Sequence, residues 1–248
     1  MSRAQKLSVA VLGTGLCLLV PTMGFAQEIT LSLDGDGSIS ARSIQLILLI
    51  TVLSLAPGLA IMITCFPFLV TVLAILRQAI GLQQSPPNMM IVSLALFLTY
   101  FVMEPVFTAA WQNGISPLIE ETIDVETAMT RSLDPFRGFM AARVDTDTFR
   151  AMAELRPDPP GLEPVPDSPL SVLIPSFLLS EISRAFQIGF LVFLPFLIID
   201  LVVAAILMSM GMMMVPPAIV SLPFKLAFFV VADGWSLVAS ALVRSYYP

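Results

Sequence analysis

Residues 170–207 read LSVLIPSFLLSEISRAFQIGFLVFLPFLIIDLVVAAIL, residues 208–217 read MSMGMMMVPP, and residues 218–243 read AIVSLPFKLAFFVVADGWSLVASALV. Two apolar runs, each longer than the roughly 20 residues that cross a hydrocarbon core, flank a short segment broken by Gly211, Pro216 and Pro217. In an apolar medium the backbone has to satisfy its own hydrogen bonds, so runs of this length are helices and the broken segment is the turn of a helical hairpin.

The first half of the chain has a similar plan. Between Arg42 and Arg77 there is no charge, and as one helix residues 43–76 would extend for about 50 Å, well beyond a core of about 30 Å. The run is therefore expected to tilt, bend or break, with Pro57-Gly58 and Pro67 as the expected places. A polar turn at 77–88 leads into a second apolar run that continues past Glu104-Pro105 to Ala110. The two runs are expected to form one hairpin within residues 44–110. The halves share no residue-level repeat, so an inverted-repeat transporter has no direct support here.

Residues 111–169 differ in composition. They hold eleven acids against Arg131, Arg137, Arg143, Arg150 and Arg156, a balance equal to the whole chain's net charge of −6. This is expected to be a small water-facing helical subdomain. Ser116-Pro117 is expected to open one helix, Asp134-Pro135 a second, and Asp145 or Thr146 a third. The tail, with prolines at 157, 159, 160, 164, 166 and 169, is expected to be an extended linker.

At the other end, Arg3 and Lys6 precede an apolar run at 7–20, and Gly24 and Ala26 place small residues at a cleavage site after residue 26. That is the layout of a secretory signal peptide, and the run is too short for a spanning helix. Residues 27–43 form a polar N-terminal segment. Cleavage would place the mature N-terminus outside, with the turns at 77–88 and 208–217 on the inner side and the acidic segment, with the C-terminus, on the outer side. Cleavage would also remove Cys17, leaving Cys65 without an internal disulfide partner.

Composition excludes several classes of function. With 57% hydrophobic and 12% charged residues the chain is an integral membrane protein, expected to be all-α, and the negative balance leaves no basic surface for nucleic acid. The absence of histidine removes Ser-His-Asp hydrolysis and most metal sites, and nucleotide-binding loops are also absent. No catalytic residue, metal site or cofactor is expected.

Six ionisable residues lie inside the apolar runs: Glu104, Glu181, Arg184, Asp200, Lys225 and Asp233. Each would cost roughly 2.5 to 3.5 kcal/mol facing lipid, so each is expected to face protein or water. Glu181 and Arg184 share a helix face and are expected to pair. Counting from Met213, Asp200 lies 13 residues before and Lys225 12 residues after, which puts them at one height for a pair across the hairpin. The other use of these charges is an ion or proton path, and a secondary transporter of a small solute working through Glu104, Asp200 and Asp233 is the competing function.

Five of the chain's 14 methionines, Met208, Met210, Met212, Met213 and Met214, fall within seven positions. Thioether side chains are unbranched and adaptable, which suits a flexible gasket closing around nothing or around varied unfolded peptides. The plain alternative is helix filling. Gly211 and Pro216-Pro217 favour the gasket, because irregular backbone at membrane depth is tolerated only when buried in protein or lining a cavity.

Six segments, LRQAIGLQQSPPN (76–88), LALFLTYFVMEPVF (94–107), DPFRGFM (134–140), LIPSFLLSEISRAFQIGF (173–190), LPFLIIDLVVAAILMSMGMMMVPP (194–217) and SLPFKLAFFVVADGW (221–235), together resemble the FliP family of bacterial type III export gates. The resemblance implies an all-helical pore subunit that assembles with FliQ-like and FliR-like partners and with further copies of itself. Unfolded flagellar proteins would pass through this assembly in the inner membrane, at the flagellar basal body, and the acidic subdomain would be periplasmic. It also implies that the methionine segment is the gasket of the closed channel, and that hairpins which read as spanning sit largely above the bilayer. The signal peptide and long acidic loop resemble the flagellar branch. One departure is that the family usually carries an arginine two residues after the phenylalanine of its T-x-F stretch, where this chain has Phe68 after Thr64-Cys65-Phe66.

Overall fold

The computed structural model describes residues 39–82, 86–157, 161–212 and 214–247, and all regular structure among them is helical. The proposed signal peptide, most of the polar segment 27–43 and Met213 lie outside the described residues.

The first apolar run breaks at one place. Helix α1 (Ile39–Met62) passes through Pro57 and Gly58, and the chain turns at Ile63, Thr64 and Cys65 before α2 (Phe66–Ile80). The expected break at Pro57-Gly58 is therefore absent. The break lies just ahead of Pro67, which falls in the first turn of α2, where its missing N–H has no intrahelical partner to lose. Thr64 Oγ1 donates to Ile61 O at 2.9 Å, closing the turn. Gly81, at φ +90°, ends α2 in the left-handed conformation that glycine adopts without a Cβ clash.

Helix α2 is the centre of the packing. Phe68, Leu69, Val72, Leu73, Leu76, Ala79 and Ile80 are all buried and fall on one broad face, an arc of about 140° at 3.6 residues per turn. It packs on α3 (Asn88–Ala110) and on the 40-residue α7 (Leu170–Ser209), the longest element, about 60 Å from end to end. Gly189 of α7 meets Ile75 so closely that a Cβ would stand 2.4 Å from its Cδ1.

Helix α3 does not stop where the composition changes. It widens into one π turn at Trp111–Ile115 and continues as the short α4 (Ser116–Ile119), so Ser116-Pro117 lies within a continuing helix and does not open one. The next helix, α5 (Val125–Arg143), starts at Asp124, whose carboxylate accepts from Thr127 N and Oγ1. Pro135 lies inside α5, correcting the expectation of a helix start at Asp134-Pro135. A proline there forfeits a hydrogen bond, but burial of Ala128 and Met140 and the packing of Phe136 and Phe139 hold the helix together across it. Asp145 caps α6 (Thr146–Glu154). Its carboxyl is held below the ordinary value by the Thr148 amide and then by the Thr148 hydroxyl, so its stabilisation is present above the unfolded carboxyl's pKa and is lost as pH falls through the lowered folded value.

Gly114 is where α5 docks on the π turn. A Cβ at this position would lie 2.6 Å from Ala128 O and 2.8 Å from Ser132 N, backbone atoms that a rotamer change cannot move. Gly114→Ala is expected to destabilise the fold by about 1 to 3 kcal/mol through overpacking, read as a lower thermal midpoint in detergent; an unchanged midpoint would refute the close approach.

The second apolar run of the last hairpin is bent. Helix α8 (Pro217–Val231) and α9 (Gly234–Arg244) meet at 61°, where the structure departs from the single run expected over 218–243. Asp233 sits at φ +47°, and a Cβ on Gly234 would lie 2.1 Å from the Phe229 ring, so both residues serve the bend. Residues Asn88–Ile119 and Leu170–Ser209 form helices long and apolar enough to cross a membrane, and α8 with α9 together has the length and apolarity of a broken span or a re-entrant loop. One core lies among α2, α3, α7, α8 and α9; a second joins Met140, Val144, Phe149 and Ala153 to Val172, Leu173 and Phe177 on α7.

Candidate functional site

The methionine segment begins as the end of α7. Gly211 N donates to Met208 O at 3.1 Å and Met212 N to Leu207 O at 3.0 Å, with Gly211 at φ +74°. This is a Schellman end, which stops the helix and turns the chain toward Pro216 and Pro217. The methionine side chains that the turn presents are open: Met208 is 61% exposed, Met210 66%, Met212 41% and Met214 96%. Met213 is not among the described residues. Met210 and Met212 also line an apolar groove of about 520 Å³ with Val202, Ile206, Val220 and Phe224. A tip of four described thioethers, unfilled by the chain's own atoms, is a surface that deforms around whatever meets it.

Further along the hairpin, Lys225 Nζ lies 2.6 Å from Asp200 Oδ2 and also donates to Ala79 O at 3.2 Å. Ser221 Oγ donates to Asp200 Oδ1 at 2.6 Å, so both carboxylate oxygens are engaged. Sequence reasoning had missed Ser221, one turn before Lys225 on the same face, and Ala79, whose carbonyl at the end of α2 reaches Lys225 only in the folded chain. Neutralising Asp200 or Lys225 alone is expected to weaken the subunit toward the lower end of about 3 to 5 kcal/mol, since Asp200 is a third open, and the swap Asp200→Lys with Lys225→Asp to recover part of it. Single variants as heat-stable as the parent would refute a dependent pair.

Glu181 has no exposed side-chain surface. Arg184 Nη1 lies 3.3 Å from its Oε1, and two partners that sequence spacing did not indicate complete the site. Arg143, at the end of α5, donates from Nε to Oε1 at 3.2 Å, while its Nη2 is equally near without hydrogen-bonding geometry. Tyr246 donates from its hydroxyl to Oε2. Burial, and then the Glu181 charge, push the Tyr246 phenol well above its ordinary value, so it remains a donor. Arg143 also lies 4.0 Å over the Tyr246 ring and donates to Ser245 O at 2.9 Å. One carboxylate thus ties α7 to the acidic segment and to the end of the chain. Phe68 is fully buried against this cluster, edge-on to Tyr246 at 5.6 Å, in an apolar setting.

Glu104 lies exposed on α3 and Asp233 at the bend between α8 and α9; among the described residues neither forms an ion pair or hydrogen bond with Asp200. No three His, Cys, Asp or Glu side chains are grouped to hold a metal ion among the described residues.

A family model described as the FliP family matches residues 49–242. The flagellar biosynthetic protein FliP of Caulobacter vibrioides is 47% identical over 239 residues, covering 96% of this chain and 90% of the relative. Those of Bacillus subtilis and Pectobacterium carotovorum are 44% and 42% identical, covering 83% and 99% of this chain and 93% and 94% of the relatives. The match runs through both hairpins and the acidic segment between them, and the chain belongs to the FliP family.

Proposed function

We propose that this chain is a pore-forming subunit of the flagellar type III export gate, without enzymatic activity, conducting unfolded flagellar proteins across the inner membrane. The observation that carries the reading is the open methionine tip between α7 and α8: four described thioethers exposed around a helix end that glycine and two prolines keep irregular. In an assembly these tips meet around one axis, and their adaptability lets them close on each other or on a passing chain. FliQ-like and FliR-like subunits and further copies of this chain cover the remaining apolar faces, and the segment 111–169 faces the periplasm. The transporter reading finds no support: Asp200 is engaged by Lys225 and Ser221, and among the described residues neither Glu104 nor Asp233 joins it.

Native mass spectrometry of detergent-extracted protein, expressed with and without its genomic neighbours, tests this. The expected result is a complex of several copies that also retains the neighbouring small membrane subunits. A monomer or dimer under both conditions would overturn the gate.

A further inference from the structure

Besides Pro57 of α1, prolines stand inside helices at 105 in α3, 135 in α5, 175 and 195 in α7, and 223 in α8. Each lacks the N–H that would reach the carbonyl four residues earlier, and its ring crowds that carbonyl. The carbonyls freed in this way belong to Phe101, Arg131, Ser171, Leu191 and Ile219. Of these five, only the first receives a side-chain donor among the described residues. Tyr247 donates its hydroxyl to Phe101 O at 3.3 Å and to the neighbouring Val102 O at 3.0 Å. In an apolar span such as Asn88–Ile119 a freed carbonyl is costly until a neighbouring group meets it, and here a phenol does.

The adjacent residue holds the other long apolar helix. Tyr246 donates to Glu181 Oε2 on α7, and its ring packs edge-on to Phe68 at 5.6 Å and stacks on Phe139 at 6.0 Å. The two ends of this dipeptide differ in strength. Tyr246 bonds to the carboxylate of Glu181, whose side chain has no exposed surface, and such charge-assisted bonds are roughly twice as strong as neutral ones. Tyr247 shares one hydroxyl between two neutral carbonyls and is 45% exposed, so its end gives way first. It also lies where α3 is weakest. Pro105 stands between the part of α3 buried on α2 through Ile91 and Ala95 and the part that continues to the close approach at Gly114.

We propose that Tyr246 and Tyr247 form a strap across α7 and α3, whose releasable end, the Tyr247 hydroxyl, stands in for the amide that Pro105 lacks and fixes the bend of α3. With the strap closed, the Phe101 and Val102 carbonyls are matched and the bend is held. With the Tyr247 end released they are unmatched and the helix loosens around Pro105, while Tyr246 keeps its hold on α7. The strap belongs to the single chain and does not depend on the gate reading.

Hydrogen–deuterium exchange of the full chain, extracted together with its genomic neighbours, tests this. Tyr247→Phe removes only the hydroxyl. The amides of Val106, Phe107, Thr108 and Ala109, just past the break, should then exchange about tenfold faster, which corresponds to about 1.4 kcal/mol. In a Pro105→Ala background the alanine amide meets Phe101 O itself, so the same Tyr247→Phe step should change exchange by about twofold or less. Equal acceleration in both backgrounds, or none in the parent, overturns the proposal. Acceleration by the same factor at Leu73 and Leu76 of α2 overturns it too, because Tyr247 would then stabilise the whole fold and not the break. That comparison needs only the parent and Tyr247→Phe, so it decides the matter even where Pro105→Ala fails to fold. Tyr246→Phe should lower the thermal midpoint more than Tyr247→Phe does, and the reverse order would put the releasable end on α7 and overturn the assignment.

Discussion

Glu181→Ala is expected to lower the stability of the isolated subunit by about 3 to 5 kcal/mol, the cost of breaking a buried pair and leaving its partners uncompensated. The basis is the burial of Glu181 together with its hold on Arg143 and Tyr246, from distant parts of the chain, and on Arg184 one turn away. Without the carboxylate, Arg143 and Arg184 face each other across an apolar site, the Tyr246 hydroxyl loses its acceptor, and the acidic segment is released from α7. Loss of heat resistance in detergent, with protease nicking in residues 144–169, would report this. Glu181→Gln should lie between parent and alanine, since an amide oxygen still accepts from Tyr246 or Arg143 but carries no charge. An alanine variant as stable as the parent would mean that the two arginines are solvated independently and that Glu181 holds nothing.

The second large effect concerns the methionine tip. Replacing Met210, Met212 and Met213 by alanine is expected to leave the gate assembled and make the membrane leaky to ions and small solutes. Met210 and Met212 are 66% and 41% exposed in the subunit, so their truncation removes little from its core. Alanine shortens each side chain by several atoms and removes the adaptable thioether, so tips that met across the axis would leave an opening. Conductance across bilayers containing the purified complex, or sensitivity of cells to small osmolytes, reports the leak. A complex that assembles and remains tight would make these methionines ordinary filling of a helix end.

Where local spacing was sufficient, the sequence could be read closely. The end of α7 was visible in Gly211 with Pro216 and Pro217. Counting outward from that turn put Asp200 and Lys225 at one height, because antiparallel helices joined by a short turn keep a common register. The Asp145 cap of α6 was legible for the same reason, since a cap acts within one turn. By contrast, Pro57 and Pro135 misled. Proline is a strong local breaker, at a cost of about 3 kcal/mol; in α5 the packing of Phe136, Phe139 and Met140 offsets it, whereas the described side chains of α1 are exposed and nothing in the structure explains its passage through Pro57.

Composition and periodicity alone determined that the chain is an apolar, all-helical membrane protein with a broken, methionine-rich turn, and no catalytic chemistry was legible in them. These properties follow from transfer free energies and backbone hydrogen bonding, which act residue by residue. Only the tertiary structure decided that Arg143, 38 residues before Glu181, and Tyr246, 65 after it, share its carboxylate, that Asp233 and Gly234 bend the last run, and that Glu104 has no counter-ion among the described residues. Such pairings depend on how whole helices cross, and crossing is set by the sum of many side-chain contacts, which no local spacing records.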